Sequence, residues 1–132
     1  MIFIDLEVVL ALHDRQIADH GGLAGIRDAG LLEAALARPQ HREAYGIEDI
    51  HEIAAAYAYG IARNHPFLDG NKRTALHVAL LFLALNGGGL PAPSPEMVER
   101  MVALAEGSLS EAAFADWLRG DTLHEPQSSY SR

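Results

Sequence analysis

An all-α fold is predicted by three features of the sequence. Apolar residues recur at helical spacing along the whole chain, and Gly and Pro separate the periodic stretches. One stretch, from Leu76 to Leu85, is apolar almost all round, as befits a helix buried at the centre of a bundle. The chain has 132 residues, enough for one domain with a real core, and shows neither an internal repeat nor a linker. The expected architecture is a single compact bundle of about six helices around a buried central helix.

Leu6, Val9, Leu10, His13 and Ile17 share one face, so a first helix runs from about Asp5 to about Asp19. Gly21, Gly22 and Gly25 break it and leave a loop. A second helix covers about Asp28 to Ala37, with Leu32, Ala35 and Leu36 inward and Pro39 as its stop. A third covers about Asp49 to Asn64, with Ile50, Ile53, Ala54, Tyr57 and Ile61 on one stripe. Pro66 disfavours helical geometry at His65, so that helix should end just before the histidine.

The fourth helix, the most apolar, runs from near Asn71 to about Asn86, where Asn-Gly-Gly-Gly stops it. Ser94-Pro95-Glu96 reads as a helix start, with Met97, Val98, Met101, Val102 and Ala105 inward. Ser110 opens a sixth helix that turns Phe114, Trp117 and Leu118 inward and ends at Gly120; Ser108-Leu-Ser-Glu111 reads as a capping box. The domain is thus expected over residues 1–120, with 121–132 a polar, flexible tail.

Composition narrows the function. Eighteen acidic and ten basic side chains give a net charge of −8, against a protein that grips nucleic acid backbone. There is no cysteine, which excludes disulfides, thiolate-bound zinc and a cysteine nucleophile. Met1 to Glu7 lacks a basic lead and does not read as a signal peptide, and Ala75 to Leu85 is too short for a membrane span. A cytoplasmic location is expected.

The segment Asn64-His65-Pro66-Phe67-Leu68-Asp69-Gly70-Asn71-Lys72-Arg73-Thr74 is mostly polar, yet lies between two apolar helices. If Asn71 caps the fourth helix, the free N–H groups of Lys72, Arg73, Thr74 and Ala75 and the helix dipole form an anion site. Lys72 and Arg73 add full charges there, and Gly70 admits a ligand close to the backbone. Asp69 beside such a cradle suits magnesium. His65 suits a base on an incoming hydroxyl, and Phe67 would anchor the loop in the core. The set fits phosphoryl or nucleotidyl transfer to a hydroxyl. The remaining histidines read otherwise: His13 as structural, and His20, His41, His51 and His124 as background without metal-ligand spacing. Tyr57, Tyr59 and Trp117 read as core or its rim.

At these residues the sequence resembles the Fic/Doc family. Its motif, His-x-Phe-x-Asp/Glu-Gly-Asn-Gly/Lys-x-x-x-Arg, is matched from His65 to Arg73. The helix order, the Gly21-Gly22-Leu23 loop and the compact length are similar to the Doc (death-on-curing) toxin branch, over about residues 4–120. The resemblance implies His65 as base, Asp69 as magnesium ligand, and Gly70, Asn71, Lys72 and Arg73 as phosphate holders. Arg63 and His77 are weaker candidates for nucleotide or target contact. The loop with Gly21, Gly22 and Gly25 is either a connector or a flap that aligns the target segment.

AMP-transferring members usually carry Gly where Lys72 stands, and a second Arg where Leu76 stands. Both departures are similar to the Doc branch. They imply a kinase that transfers the γ-phosphate of ATP to a threonine of translation elongation factor Tu and arrests translation. No internal inhibitory helix of the family is visible, so inhibition would come from a Phd-like antitoxin that folds on binding. The alternatives are a Fic-like AMP transferase and, from another class, a non-catalytic antitoxin-binding or corepressor module. A metal-dependent phosphohydrolase fits poorly, because its clustered ligands are missing.

Overall fold

The computed structural model describes residues 1–89 and 92–123. Six helices follow one another: α1 (Leu6–His20), α2 (Ala29–Ala44), α3 (Ile50–Asn64), α4 (Asn71–Leu85), α5 (Pro95–Glu106) and α6 (Glu111–Leu123). The described residues contain no strand, only an isolated antiparallel bridge between Ile26 and Phe67. None of the described helices is long and apolar enough to cross a membrane.

The central helix is α3, not the more apolar α4. It packs against α2, α4, α5 and α6, whereas α1 sits on α4. Side-chain size explains the choice. Ala54, Ala55, Ala56, Ala58, Gly60 and Ala62 are all buried in α3, so neighbours approach it closely from every side. In α4, Lys72, Arg73 and Leu85 remain exposed.

Three expected boundaries differ. Pro39 does not stop α2; it lies buried inside a helix that continues to Ala44. Its missing N–H would have bonded the carbonyl of Ala35. That carbonyl faces Gly60, where an added Cβ would lie 3.1 Å from both the Cα and the oxygen of Ala35. On either side of the proline, Glu111 pairs with Arg38 and with Arg42, and the Arg38 guanidinium lies 4.6 Å over the Tyr59 ring. Tertiary contacts thus carry α2 across its proline.

The sixth helix runs through Gly120 to Leu123. Arg119 binds Asp116 on its own helix and Asp49, the N-cap of α3, which ties the last turn down. The expected tail therefore begins within α6, and residues 124–132 lie outside the described residues. Ser110 alone caps this helix, accepting from the Ala113 N–H at 3.0 Å. Ser108 instead donates to the Ala103 carbonyl at the end of α5, and Glu111 reaches across to α2, so there is no capping box.

In α5 the Ser94 cap holds, accepting from the Met97 N–H. Met97, Met101 and Leu104 are buried, but Val98 is 42% exposed rather than inward. Its side chain lines the cavity described next.

Candidate active site

The segment 64–71 is a turn held from every side. Asn64 ends α3, and His65 adopts φ 54°, ψ 53°; among the described residues no other non-glycine has positive φ. Pro66 keeps His65 out of the right-handed helical region, which is disfavoured before proline. The left-handed conformation costs about 1–2 kcal/mol in an L-residue, so the surroundings must impose it. They do. Arg27 donates from Nε to the His65 carbonyl at 2.7 Å and from Nη2 to the Asn64 carbonyl at 2.9 Å. The N–H groups of Arg27 and Asp28 both donate to the Pro66 carbonyl.

Phe67 is fully buried, and the His13 ring stacks on it at 3.8 Å and 8°. His13 itself is 2% exposed. Its Nε2 lies 2.8 Å from the Asp69 carbonyl oxygen, which fixes the proton on that nitrogen as donor. The Asp69 carboxylate accepts the Leu23 N–H at 2.7 Å. Gly22 permits this approach, because a Cβ there would lie 3.0 Å from the Asp69 Cβ. Gly25 accepts the Leu68 N–H. The glycine loop is thus laced to the motif along its length, in a position a flap would need.

Gly70, not Asn71, is the N-cap of α4, with φ 78° and ψ 17°. Asn71 is the first helical residue, and its buried amide turns backwards. Its Oδ1 accepts from the Phe67 N–H at 2.9 Å, and its Nδ2 donates to the Phe67 carbonyl at 3.0 Å. The side chain thus makes two bonds to the loop, while Asn71 also lines the cavity. The first intrahelical bond runs from the Thr74 N–H to the Gly70 carbonyl. The free donors are accordingly Asn71, Lys72 and Arg73; Thr74 and Ala75, expected among them, are already bonded within the helix.

These donors face a cavity of about 620 Å³. His65, Asp69, Gly70, Lys72 and Arg73 form its floor, and Gln16, His20, Gly21 and Gly22 one wall. Leu76, Val98, Met101 and Val102 contribute apolar lining. His77 also lines it; burial, then the nearby His20 and Arg73, hold its imidazole below the usual histidine range. The lining thus combines polar and cationic groups with apolar ones. Arg63 is elsewhere: its Nη1 donates to the Ala105 carbonyl at the end of α5, against Gly107.

Three residues of consequence escaped the sequence. His20 borders the cavity, its Nε2 lying 3.5 Å from the Arg73 guanidinium. Gln16 lines the same wall. The spacing His13, Gln16, His20 on one face ahead of two glycines was the available signal. Arg27 had none, because its partners are backbone atoms nearly forty residues away.

Among the described residues, no cluster of three His, Asp or Glu gathers to cage a metal. A lone carboxylate suits magnesium, which keeps waters and completes its shell with substrate phosphates. The free donors of α4 and two cations suit those phosphates.

A family model described as Fic/DOC family matches residues 3–83. The chain belongs to that family. It is also 46% identical over 120 residues to "Protein kinase doc" of Escherichia phage P1, covering 90% of this chain and 94% of the phage protein. To "Toxin Doc" of Mycolicibacterium smegmatis it is 48% identical over 75 residues, 54% of this chain and 57% of that protein. Both place it in the Doc branch of the Fic/DOC family, and the motif from His65 to Arg73 lies inside the matched region.

Proposed function

We propose that this Fic/DOC chain is the toxin of a toxin–antitoxin pair and a kinase, transferring the γ-phosphate of ATP to a hydroxyl of a protein. The reading is carried by one observation: His65, Asp69 and the free N–H end of α4 meet in a single cavity. The kinase name of the phage relative supports the activity, and the toxin name of the other supports the biological role.

The chemistry follows from the residues. His65 removes the proton of the target hydroxyl. The hydroxyl oxygen bonds to the γ-phosphorus as the bond from that phosphorus to the β–γ bridging oxygen breaks, and ADP leaves. The N–H groups of Asn71, Lys72 and Arg73, with the two side-chain cations, hold the charge that develops on the transferring group. Magnesium at Asp69 would neutralise part of the phosphate charge. The target segment would lie along the loop at Gly21, Gly22 and Gly25, beside His65.

Charge distribution favours γ- over α-phosphate transfer. Among the described residues that line the cavity, the full cations are Lys72 and Arg73, at the first turn of α4. One turn on, Leu76 is 3% exposed and apolar, and the α5 wall is apolar too. A phosphate tail extending that way would lack countercharge, whereas a nucleoside would be accommodated. The terminal phosphate therefore belongs at the first turn.

The proposed target is a threonine of elongation factor Tu, in the cytoplasm, and the proposed inhibitor a Phd-like antitoxin. The test is label transfer to purified elongation factor Tu, or to a lysate, from ATP labelled at the γ- or the α-phosphate, with His65→Ala alongside. Label from the γ-phosphate, lost in the variant, is expected. Label from the α-phosphate would make the protein an AMP transferase. No transfer, with expression harmless and unaffected by His65→Ala, would leave a binding module.

A further inference from the structure

The catalytic loop is braced at both ends by side chains that line no part of the cavity. At one end Arg27 spans the carbonyls of Asn64 and His65 with two donors, while its own N–H and that of Asp28 take the Pro66 carbonyl. Three consecutive carbonyls are thus gripped from one short segment. The residue so gripped is the one held at positive φ, and its backbone setting aims the imidazole. At the other end His13, buried and stacked on Phe67, donates to the carbonyl of Asp69. That carbonyl starts the Asp69–Gly70 peptide, and Gly70 sets the first turn of α4.

We propose that Arg27 and His13 are positioning residues for separate halves of the site. Arg27 acts through His65 on proton transfer, and His13 acts through Asp69 on magnesium-assisted nucleotide binding. The proposal rests on the kinase reading above. It assigns different consequences to two bonds that a purely structural account would treat alike. Small misplacements of a reacting group carry large rate penalties.

The variants are Arg27→Ala, Arg27→Lys, His13→Phe and His13→Gln. His13→Phe keeps a ring on Phe67 and removes the donor, and His13→Gln returns a donor without the ring. Three readouts are taken: kcat and KM for label transfer, calorimetric affinity for ADP with and without Mg²⁺, and resonances of the His65 ring and the Asp69–Gly70 amides. Arg27→Ala is expected to lower kcat about ten- to a hundredfold, with KM for ATP and the magnesium gain in ADP affinity within about twofold. Arg27→Lys, or added guanidinium ion, should restore part of it. His13→Phe is expected to reduce the magnesium gain about tenfold while ADP affinity without metal stays put, and His13→Gln to recover part of that gain.

Parallel losses in both readouts that track melting temperature, or no loss in either, would overturn the proposal. If wild-type protein transfers no label, the kinase reading falls by itself. The resonances then still decide the positioning claim. Arg27→Ala must move the His65 ring and spare the Asp69–Gly70 amides, and His13→Phe must do the reverse; any other pattern refutes it.

Discussion

Replacing Asn71 separates two roles for the same residue. If its amide held phosphate, removing it would weaken nucleotide binding and leave folding alone. The structure gives it another task. The loop at Gly25 and Arg27 takes the N–H of Leu68 and the carbonyl of Pro66, which flank Phe67. The N–H and carbonyl of Phe67 itself point the other way, and Asn71 binds both. Asn71→Ala would leave two buried backbone groups unpaired. At about 1–2 kcal/mol each, the loss is about 2–4 kcal/mol, or a melting temperature lower by roughly 6–20 °C for a chain of this size. Urea unfolding followed by circular dichroism measures it. Asn71→Asp sharpens the test. A carboxylate still accepts from the Phe67 N–H but has nothing to donate to the Phe67 carbonyl. Burial and that carbonyl raise the folded pKa of the new acid above its unfolded value, so its stability contribution is greatest in acid and lost as pH rises. Asn71→Asp should therefore lie closer to wild type at pH 4.5 than at pH 7. A destabilisation below about 1 kcal/mol in Asn71→Ala, within the range of an ordinary surface change, together with weakened nucleotide binding, would refute this reasoning and return Asn71 to the phosphates.

Other substitutions test other parts of the molecule. Gly60→Ala forces a Cβ to within 3.1 Å of the Ala35 backbone and should destabilise by about 1–3 kcal/mol in the same unfolding assay; a neutral result would mean that α2 and α3 do not meet there so closely. His65→Ala should abolish label transfer and leave the unfolding midpoint within about 0.5 kcal/mol, because the ring is exposed. His77 is held below its unfolded pKa by burial and by the nearby His20 and Arg73, so its neutral form is favoured in the folded state. The contribution is complete above the unfolded pKa of about 6.5 and is lost as pH falls below it. His77→Gln should accordingly show a shallower fall in stability between pH 7 and pH 5.5 than wild type. An equal or steeper fall would contradict the placement of His77.

The helices were legible because each carries its own local signals. Asp49, Ser94 and Ser110 cap the helices they were expected to begin, and Pro66 does forbid His65 a helical backbone. The failures share a cause: distant residues overrode a local rule. Pro39 should end a helix, but Tyr59 and the bare backbone of Gly60 hold the turn before it and Glu111 bridges to Arg42 in the turn after it. Gly120 should end another, but Arg119 reaches Asp49. The site shows the same division. Residue types suited to the chemistry stood together in one segment of the sequence, and the structure brings His65, Asp69, Lys72 and Arg73 to one cavity. What the sequence concealed was direction. The Asn71 amide binds the loop, Val98 faces the cavity rather than the core, and Arg63 faces the end of α5.

That concealed direction bears on why the motif requires so many residues close together. A base and a carboxylate on an unsupported turn would sample many geometries, and the backbone at His65 would relax from its positive φ. The fold meets this by letting backbone groups of the turn find partners outside it: Arg27 for Asn64 and His65, Asn71 for Phe67, His13 for Asp69. The first-turn donors of α4 are left free of such partners, and they face the cavity where a phosphate would be held. Satisfying the loop and leaving that one helix end free are parts of a single arrangement. Loosening the Arg27 or the His13 brace should therefore cost catalysis before it costs the fold, whereas loosening the Asn71 brace costs the fold as well.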